Sequence, residues 1–592
     1  MKAKLYYFII FIFLICNQTI YAQDVELSNK LINQLQQTKT QTGKQVKNKA
    51  ITSSCISSII LEAKKNWSKL TPKAQGIFKI YTTRPVLSKT FNTTNYSFHY
   101  DVAGTDAVPT TDADASGTPD YVEQMAAVFE HVWLEYKNRN YTMPPLDGTR
   151  GGSTKYDIYI SDLGSSLYGF VSPDVAIGNN PQSTTITEVD AYSSWMGMNK
   201  DYSWVAPTPE LDAIKVTAAH EFFHAVQFGT VSHTTNFIAE ATAAWSEDEV
   251  YPGIDDNLQY LPPMFSQPDV ALNWNSDDGA LYDSRWYGGW LFFRYLTEKT
   301  SSDLIRKIYK ETITENDEIF AIETVLNSDY SSDFETMYKK YLISLDVLTD
   351  VVSLAPYTYS RAATYKSSLA KYQSCGSVCY ENGFNFTGTT LLHSSNTTVI
   401  ANTTLGNGTL MRFGADYFDL TTNQNFKIKC AIGASSPVSM LLLKYNSTQS
   451  TVAVSEAVVV NGVLEISVSD YQNYDAYTLI VFRADNVADT NSEQYELNIS
   501  KYTALGLENF ANSAVVAYPN PVKDDLSINN LETLFTNYEL INTAGQVIKK
   551  ANTATIAQNN KIDIRQLSDG IYYLKLTTKE GKTAVRKIIV KK

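Results

Sequence analysis

Apolar and polar residues alternate with a period of two in "KYDIYISDL", so Tyr156, Ile158 and Ile160 share one face and predict a β-strand. "NYSFHYDVAGTDAVP" alternates in the same way and marks where the folded core begins. From there the pattern mixes strands with helical periodicity, and helices are predicted over 121–138, 210–229, 236–250, 286–299 and 331–349. Residues 86–355 therefore read as one α+β domain. Upstream, residues 23–85 are rich in Lys, Gln and Ser with only a weak helical pattern, which fits either a propeptide or an N-terminal helical arm. Downstream, residues 385–502 turn to Thr, Val, Ser and Asn. "VSMLLLKYN", "GVLEISVSD" and "AYTLIVFRAD" there read as strands of a β-sandwich. After the linker "ENFANSAVV", residues 513–592 form a further small β unit.

A chain of 592 residues exceeds what one hydrophobic core supports, which agrees with this multidomain division. The net charge of −13 argues against a nucleic-acid partner, because phosphate contacts need clustered Lys and Arg. Residues 1–22 carry Lys2 and Lys4, then an apolar run from Leu5 to Cys16, then Ala22 at a cleavage position. That run is shorter than the roughly 20 residues of a membrane span, so a cleaved secretory signal is expected rather than an anchor. Ile15 is too bulky for a lipid attachment signal at Cys16. No later segment is apolar enough to span, and no transmembrane helix is expected after signal removal. The remaining Cys55, Cys375, Cys379 and Cys430 are even in number in an exported chain, which suggests disulfides, with three pairings open and a cysteine metal site as the competing idea.

The chemistry concentrates in "AAHEFFHAVQFG". On a helix His220 and His224 lie one above the other and can hold a single Zn²⁺, while Glu221 stays free to act as a base on water. The surrounding Val216, Ala219, Phe223 and Val226 place this site partly in the core. A catalytic zinc usually takes three protein ligands. Glu240, in the apolar run "NFIAEATAAWSED", is the third, since coordination removes the cost of a bare buried carboxylate. Glu247 follows two helical turns later and is placed to accept an imidazole N–H from outside the ligand set.

HEFFH followed by a helix carrying Glu240 and Glu247 resembles the zincin metallopeptidases whose third ligand is glutamate, the gluzincins. The wider run through "FHYDVAGTDAVP", "GTPDYVE", "KYDIYISDL" and "WYGGWLFFRYL" is similar to secreted bacterial metalloproteases of that kind. The resemblance implies a zincin-like catalytic domain and hydrolysis of peptide bonds in a protein or peptide substrate. It also suggests Tyr287, ahead of a Gly, as the oxyanion donor, with Tyr282 as the substitute. Arg285 is a candidate for binding a substrate carboxylate. A zinc exopeptidase and a non-catalytic surface binding protein on a degenerate zincin fold are the rival readings. The free base at Glu221 speaks against the second.

A second metal site is predicted in "DADASGTPDYVE". Asp112, Asp114 and Ser116 offer oxygens, Gly117 makes the turn, Thr118 offers its carbonyl, and Asp120 and Glu123 complete a twelve-residue loop suited to a structural Ca²⁺. At the C-terminus, "AYPNPVKDDLSI", "ELINTAGQVI", "IDIRQLSDGIYYLKL" and "AVRKIIVKK" resemble the type IX secretion sorting domain, a small Ig-like β module. That resemblance implies the type IX secretion machinery as a partner, and passage through the periplasm to the cell surface or medium.

Overall fold

The computed structural model describes residues 23–36, 55–205, 208–274, 285–375, 393–399, 403–433, 435–447, 450–485, 492–502, 516–528, 535–553, 561–578 and 583–592. The predicted signal peptide, Tyr282 and Cys379 lie outside them.

The centre is a five-stranded sheet in the order β1-β2-β3-β5-β4. Its strands are β1 (Lys89–Asn92), β2 (Tyr96–Tyr100), β3 (Tyr156–Ser161), β4 (Gly169–Gly178) and β5 (Ala191–Asn199). β2, β3 and β5 run parallel, and β1 and β4 pair antiparallel at the two edges. Alternation along β3 decides what each face buries. Tyr156, Ile158 and Ile160 point into the larger core, formed with α4 (Asp120–Asn138) and α5 (Glu210–Phe228). Tyr159 points the other way, with Phe170 and Trp195.

That second face is covered by the N-terminal arm. Helices α1 (23–36), α2 (Ser57–Lys65) and α3 (Pro72–Thr82) bury Leu31, Ile60, Ala74 and Phe78 against it. Thr71 accepts from the Ala74 amide, and Pro72 occupies the first turn of α3, a capped start that the sequence pattern left weak. The arm is therefore a packed layer. It is tied in at Arg84, which bridges Asp147, Asp157 and Asp174.

α5 leads through a short turn to α6 (Asn236–Val250), and both helices are buried on nearly all sides, polar residues such as Gln227, Ser246 and Glu247 included. Next come α7 (Leu261–Ser266), α8 (Arg285–Gly288) and α9 (Trp290–Lys299). The expected continuous helix 286–299 is broken at Gly288 and Gly289. A Cβ on Gly288 would stand 2.7 Å from the Tyr260 carbonyl oxygen, and one on Gly289 would stand 2.9 Å from Phe237. Only glycine lets this corner press onto α6 and α7. Helices α10 (Leu304–Glu311), α11 (Glu318–Tyr330), α12 (Phe334–Val347) and α13 (Ala362–Cys375) complete the helical layer.

Two five-stranded sheets follow between His393 and Lys501, one containing Val438–Asn446 and Ala476–Arg483, the other Val463–Val468. One sheet packs on α12. Tyr338 donates to the Phe413 carbonyl at 2.6 Å, and Tyr417 donates to that of Leu342 at 2.9 Å. The loop after α7 is hydrogen-bonded to the same strand entry, Leu272 N–H to Phe413 O and Ala415 N–H to Pro268 O. The C-terminal unit carries a three-stranded and a four-stranded sheet around Val522, Leu526, Leu540, Leu574 and Ile588. Among the described residues no helix is long and apolar enough to cross a membrane.

Candidate metal centre

His220 and His224 lie in the buried stretch of α5, and Glu240 lies in the second turn of α6, which packs against it. His220 Nε2 and His224 Nε2 each stand 3.3 Å from Glu240 Oε2. Two nitrogen or oxygen ligands at about 2.05 Å from a tetrahedral ion lie about 3.3 Å apart, so this spacing fits zinc. The tautomers fit as well. His220 Nδ1 donates to Glu247 Oε1 at 2.7 Å, and His224 Nδ1 donates to Gln227 Oε1 at 2.7 Å. Gln227 is itself oriented by donating to the Ala239 carbonyl and Thr242 Oγ1. With both Nδ1 atoms donating to these acceptors, both Nε2 atoms face one point beside Glu240 Oε2. His224 Nε2 is fully buried and has no hydrogen-bond partner, as a ligand awaiting a cation would be.

The electrostatics point the same way. Burial alone would push both imidazoles down, but Cys55 and Glu240, joined at His220 by Glu247, more than offset it, and both sit well above the ordinary histidine range. Burial pushes Glu240 up, yet His224 and His220 hold it well below the usual carboxylate range. Glu247 is raised to about 7 by burial, with His220 pulling it back. A buried carboxylate that stays ionised between two imidazoles is a site that attracts positive charge.

Glu221 is buried beside the ligands and outside their set. Its Oε2 accepts from Ser57 Oγ at 2.9 Å and stands 3.6 Å from Cys55 Sγ. Cys55 Sγ belongs to the same cluster as His220, His224 and Glu240, with all four donor atoms within 4.8 Å of one another. Sequence reasoning missed this residue and Gln227. Gln227 was findable, three positions from His224 on one helical face. Cys55 was not, since it reaches the site from 166 residues away.

Tyr287 ends up at the centre. Its ring lies 6.2 Å from that of His220 and stacks on Tyr260, and its hydroxyl accepts from the Cys55 N–H at 3.0 Å. Burial, then Glu240, keep this phenol well above its ordinary range, so it remains a proton donor at neutral pH. Arg285 does not reach the site. Its guanidinium is buried and donates to the carbonyls of Val270, Ala271 and Pro263, so it pins the loop after α7 and binds no substrate carboxylate.

The disulfide expectation is corrected at two of its four residues. Cys55 and Cys430 are free, buried thiols in different cores. Cys430 sits inside the sandwich, where burial pushes its thiol up to about 12.

In the acidic loop, Asp112, Asp114 and Asp120 bring carboxylate oxygens within 4.8 Å of one another. Ser116 N–H donates to Asp112 Oδ1 and Asp114 Oδ1, both at 3.0 Å, and Gly117 turns at φ +89°. Ser116 Oγ donates to Glu123 at 2.7 Å and lies 3.3 Å from the Thr118 carbonyl.

Residues 516–591 match the family described as the secretion system C-terminal sorting domain. The chain is thus exported by type IX secretion to the cell surface or beyond, and its tail engages that machinery. No curated protein matches the chain. Among solved structures it is similar to the pre-peptidase C-terminal domain of a collagenase from Bacillus anthracis, 18% identical over 18% of this chain and 95% of that one, with a TM-score of 0.15. It is also similar to PliG, a periplasmic inhibitor of g-type lysozyme, from Aeromonas hydrophila (13% identity, 18% of this chain, 96% of that chain, TM-score 0.14). The Salmonella Typhimurium PliG matches at 14% identity over 18% of this chain and 100% of its own, with a TM-score of 0.14.

Proposed function

We propose that this exported protein is a zinc-dependent endopeptidase of the zincin class. The observation that carries the reading is the convergence of His220 Nε2, His224 Nε2 and Glu240 Oε2 on one point, with the uncoordinated carboxylate of Glu221 beside it. A purely structural site has no use for a free buried base. His220, His224 and Glu240 would hold the ion, and zinc would supply Lewis acidity that polarises a peptide carbonyl and acidifies water to near neutrality. Glu221 takes the proton from the attacking water and delivers it to the leaving amine. The Tyr287 hydroxyl donates to the oxygen on which negative charge develops. Glu247 and Gln227 keep both imidazoles in the ligating tautomer throughout.

The acidic loop supports a second, structural role for Ca²⁺. Asp112, Asp114 and Asp120, with Ser116, Thr118 and Glu123, offer only oxygens, the donor type that calcium takes. The loop runs directly into α4, which packs on α5, so an ion there would brace the metal helix from outside.

The test compares wild type with Glu221→Gln on unfolded protein, with zinc content measured in both. Full zinc in both and a loss of roughly a thousandfold or more in cleavage by the variant supports the assigned base. Equal and measurable cleavage by the two proteins refutes it.

A further inference from the structure

Three residues from one short stretch of the N-terminal arm, Cys55, Ser57 and Ser58, fill the centre. The Cys55 thiol stands with His220, His224 and Glu240 as the fourth donor of the cluster. The Cys55 N–H donates to Tyr287 Oη at 3.0 Å. Ser57 Oγ donates to Glu221 Oε2 at 2.9 Å while accepting from the Val171 N–H of edge strand β4 at 2.8 Å. Ser58 Oγ donates to Glu240 Oε1 at 2.9 Å. The coordination place, the base and the oxyanion donor are each occupied by a group from this one short stretch. The orphaned Nε2 of His224 shows independently that the cluster is shaped for an ion.

We propose that Cys55 is the fourth protein ligand of the metal and that the arm holds the exported chain latent. This rests on the zinc reading above. Thiolate is a strong zinc donor, and three imidazole and carboxylate ligands plus one sulfur make a closed tetrahedral set with no place for water. The arm is held by more than the thiol. Ile56 and Ile60 are fully buried in the core that α1, α2 and α3 share with Phe170 and Trp195 of the sheet, so the residues flanking Cys55 are anchored on the far side of β4. Activation would require the Cys55–Ser58 stretch to leave the site, freeing Glu221 and Tyr287 from their present hydrogen bonds. The Cys55 sulfur would take up a proton on leaving, and water would take its place.

The experiment uses the full chain loaded with Co²⁺ in place of zinc. Wild type is expected to show a sulfur-to-cobalt charge-transfer band in the near ultraviolet. Cys55→Ala and Cys55→Ser should bind cobalt equally and lack the band. The same two variants, zinc-loaded, should cleave unfolded protein faster than wild type by roughly tenfold or more. Because a variant can fail to fold, alkylation of Cys55 in wild type is followed in parallel by peptide mapping. Zinc should slow it by roughly tenfold or more, since a coordinated thiolate is not free to react. A bound metal with no thiolate band and no protection of Cys55, in a wild-type chain that already cleaves, overturns the proposal and leaves the peptidase reading standing. A thiolate band together with Cys55 variants that bind metal but cleave nothing, even after limited proteolysis of the arm, overturns both latency and peptidase, leaving a closed structural site. A wild-type chain that binds no metal at all removes both.

Discussion

Glu247 Oε1 receives the Nδ1 proton of His220 across the α5–α6 interface at 2.7 Å, although the two residues are 27 positions apart in the chain. This contact fixes which imidazole nitrogen faces the metal. Glu247→Ala should therefore weaken zinc binding by about 10- to 100-fold, and Glu247→Gln, which keeps an acceptor, by less. Competition with a chromophoric chelator measures both, and equal affinity in all three proteins would refute the role.

Zinc should also hold the helices together. At a thousandfold excess over its dissociation constant it contributes about 4 kcal/mol to the stability of the folded state. Chelation is expected to lower the melting temperature of wild type by several degrees and to leave that of His224→Ala unchanged. A chelator shift of the same size in the variant would place the bound ion elsewhere.

The acidic loop predicts a response to calcium separate from that to zinc. Adding Ca²⁺ at about a hundredfold over its dissociation constant should stabilise the protein by roughly 2.7 kcal/mol. Asp114→Ala should abolish the gain without changing zinc content. Magnesium, which demands a tighter octahedral shell, should not substitute. Melting curves in the two ions, on wild type and variant, decide it.

Glu318 opens α11 and accepts hydrogen bonds from both the backbone N–H and the hydroxyl of Thr235, the residue just before the helix that carries Glu240. Burial pushes its carboxyl up from the usual 4.5 to about 7, with Thr235 partly opposing. The folded state therefore binds a proton that the unfolded state has lost, and the stability contributed by the protonated form is fully present below about 4.5 and is lost as pH rises through about 7. The loss is on the order of 2–3 kcal/mol. Glu318→Gln should flatten that decline, and an unchanged slope in denaturant unfolding across this range would count against it.

Much of the candidate site was legible because its signals are local. The four-residue step from His220 to His224 and the acid at Glu240 in the apolar first half of its helix each carry their meaning within a few turns, and the structure brings all three together. The alternation in β3 likewise sorted Tyr156, Ile158 and Ile160 onto one face. What stayed hidden depends on distant contacts. Nothing around Cys55 announces that its sulfur lies beside histidines far along the chain, so an even cysteine count suggested a disulfide instead. Arg285 was a candidate for a substrate carboxylate, but three backbone carbonyls claim its guanidinium. The break at Gly288 and Gly289 follows from packing against Tyr260 and Phe237, which no helical periodicity encodes.

The strand entry at Phe413–Ala415 is stitched by main-chain bonds to Pro268 and Leu272, and Gly414 sits so close that a Cβ there would fall 2.2 Å from the Asp269 carbonyl oxygen. Phe413 also packs edge-on to Phe334 at 5.0 Å between ring centres. The β-sandwich thus forms one wall of the helical layer, which makes it a poor candidate for exchange by domain shuffling. A shortened gene ending before His393 would strip Tyr338, Phe334 and the loop after α7 of their cover. Recombinant versions meant for assay should therefore keep everything through Tyr502 and dispense only with the export tail.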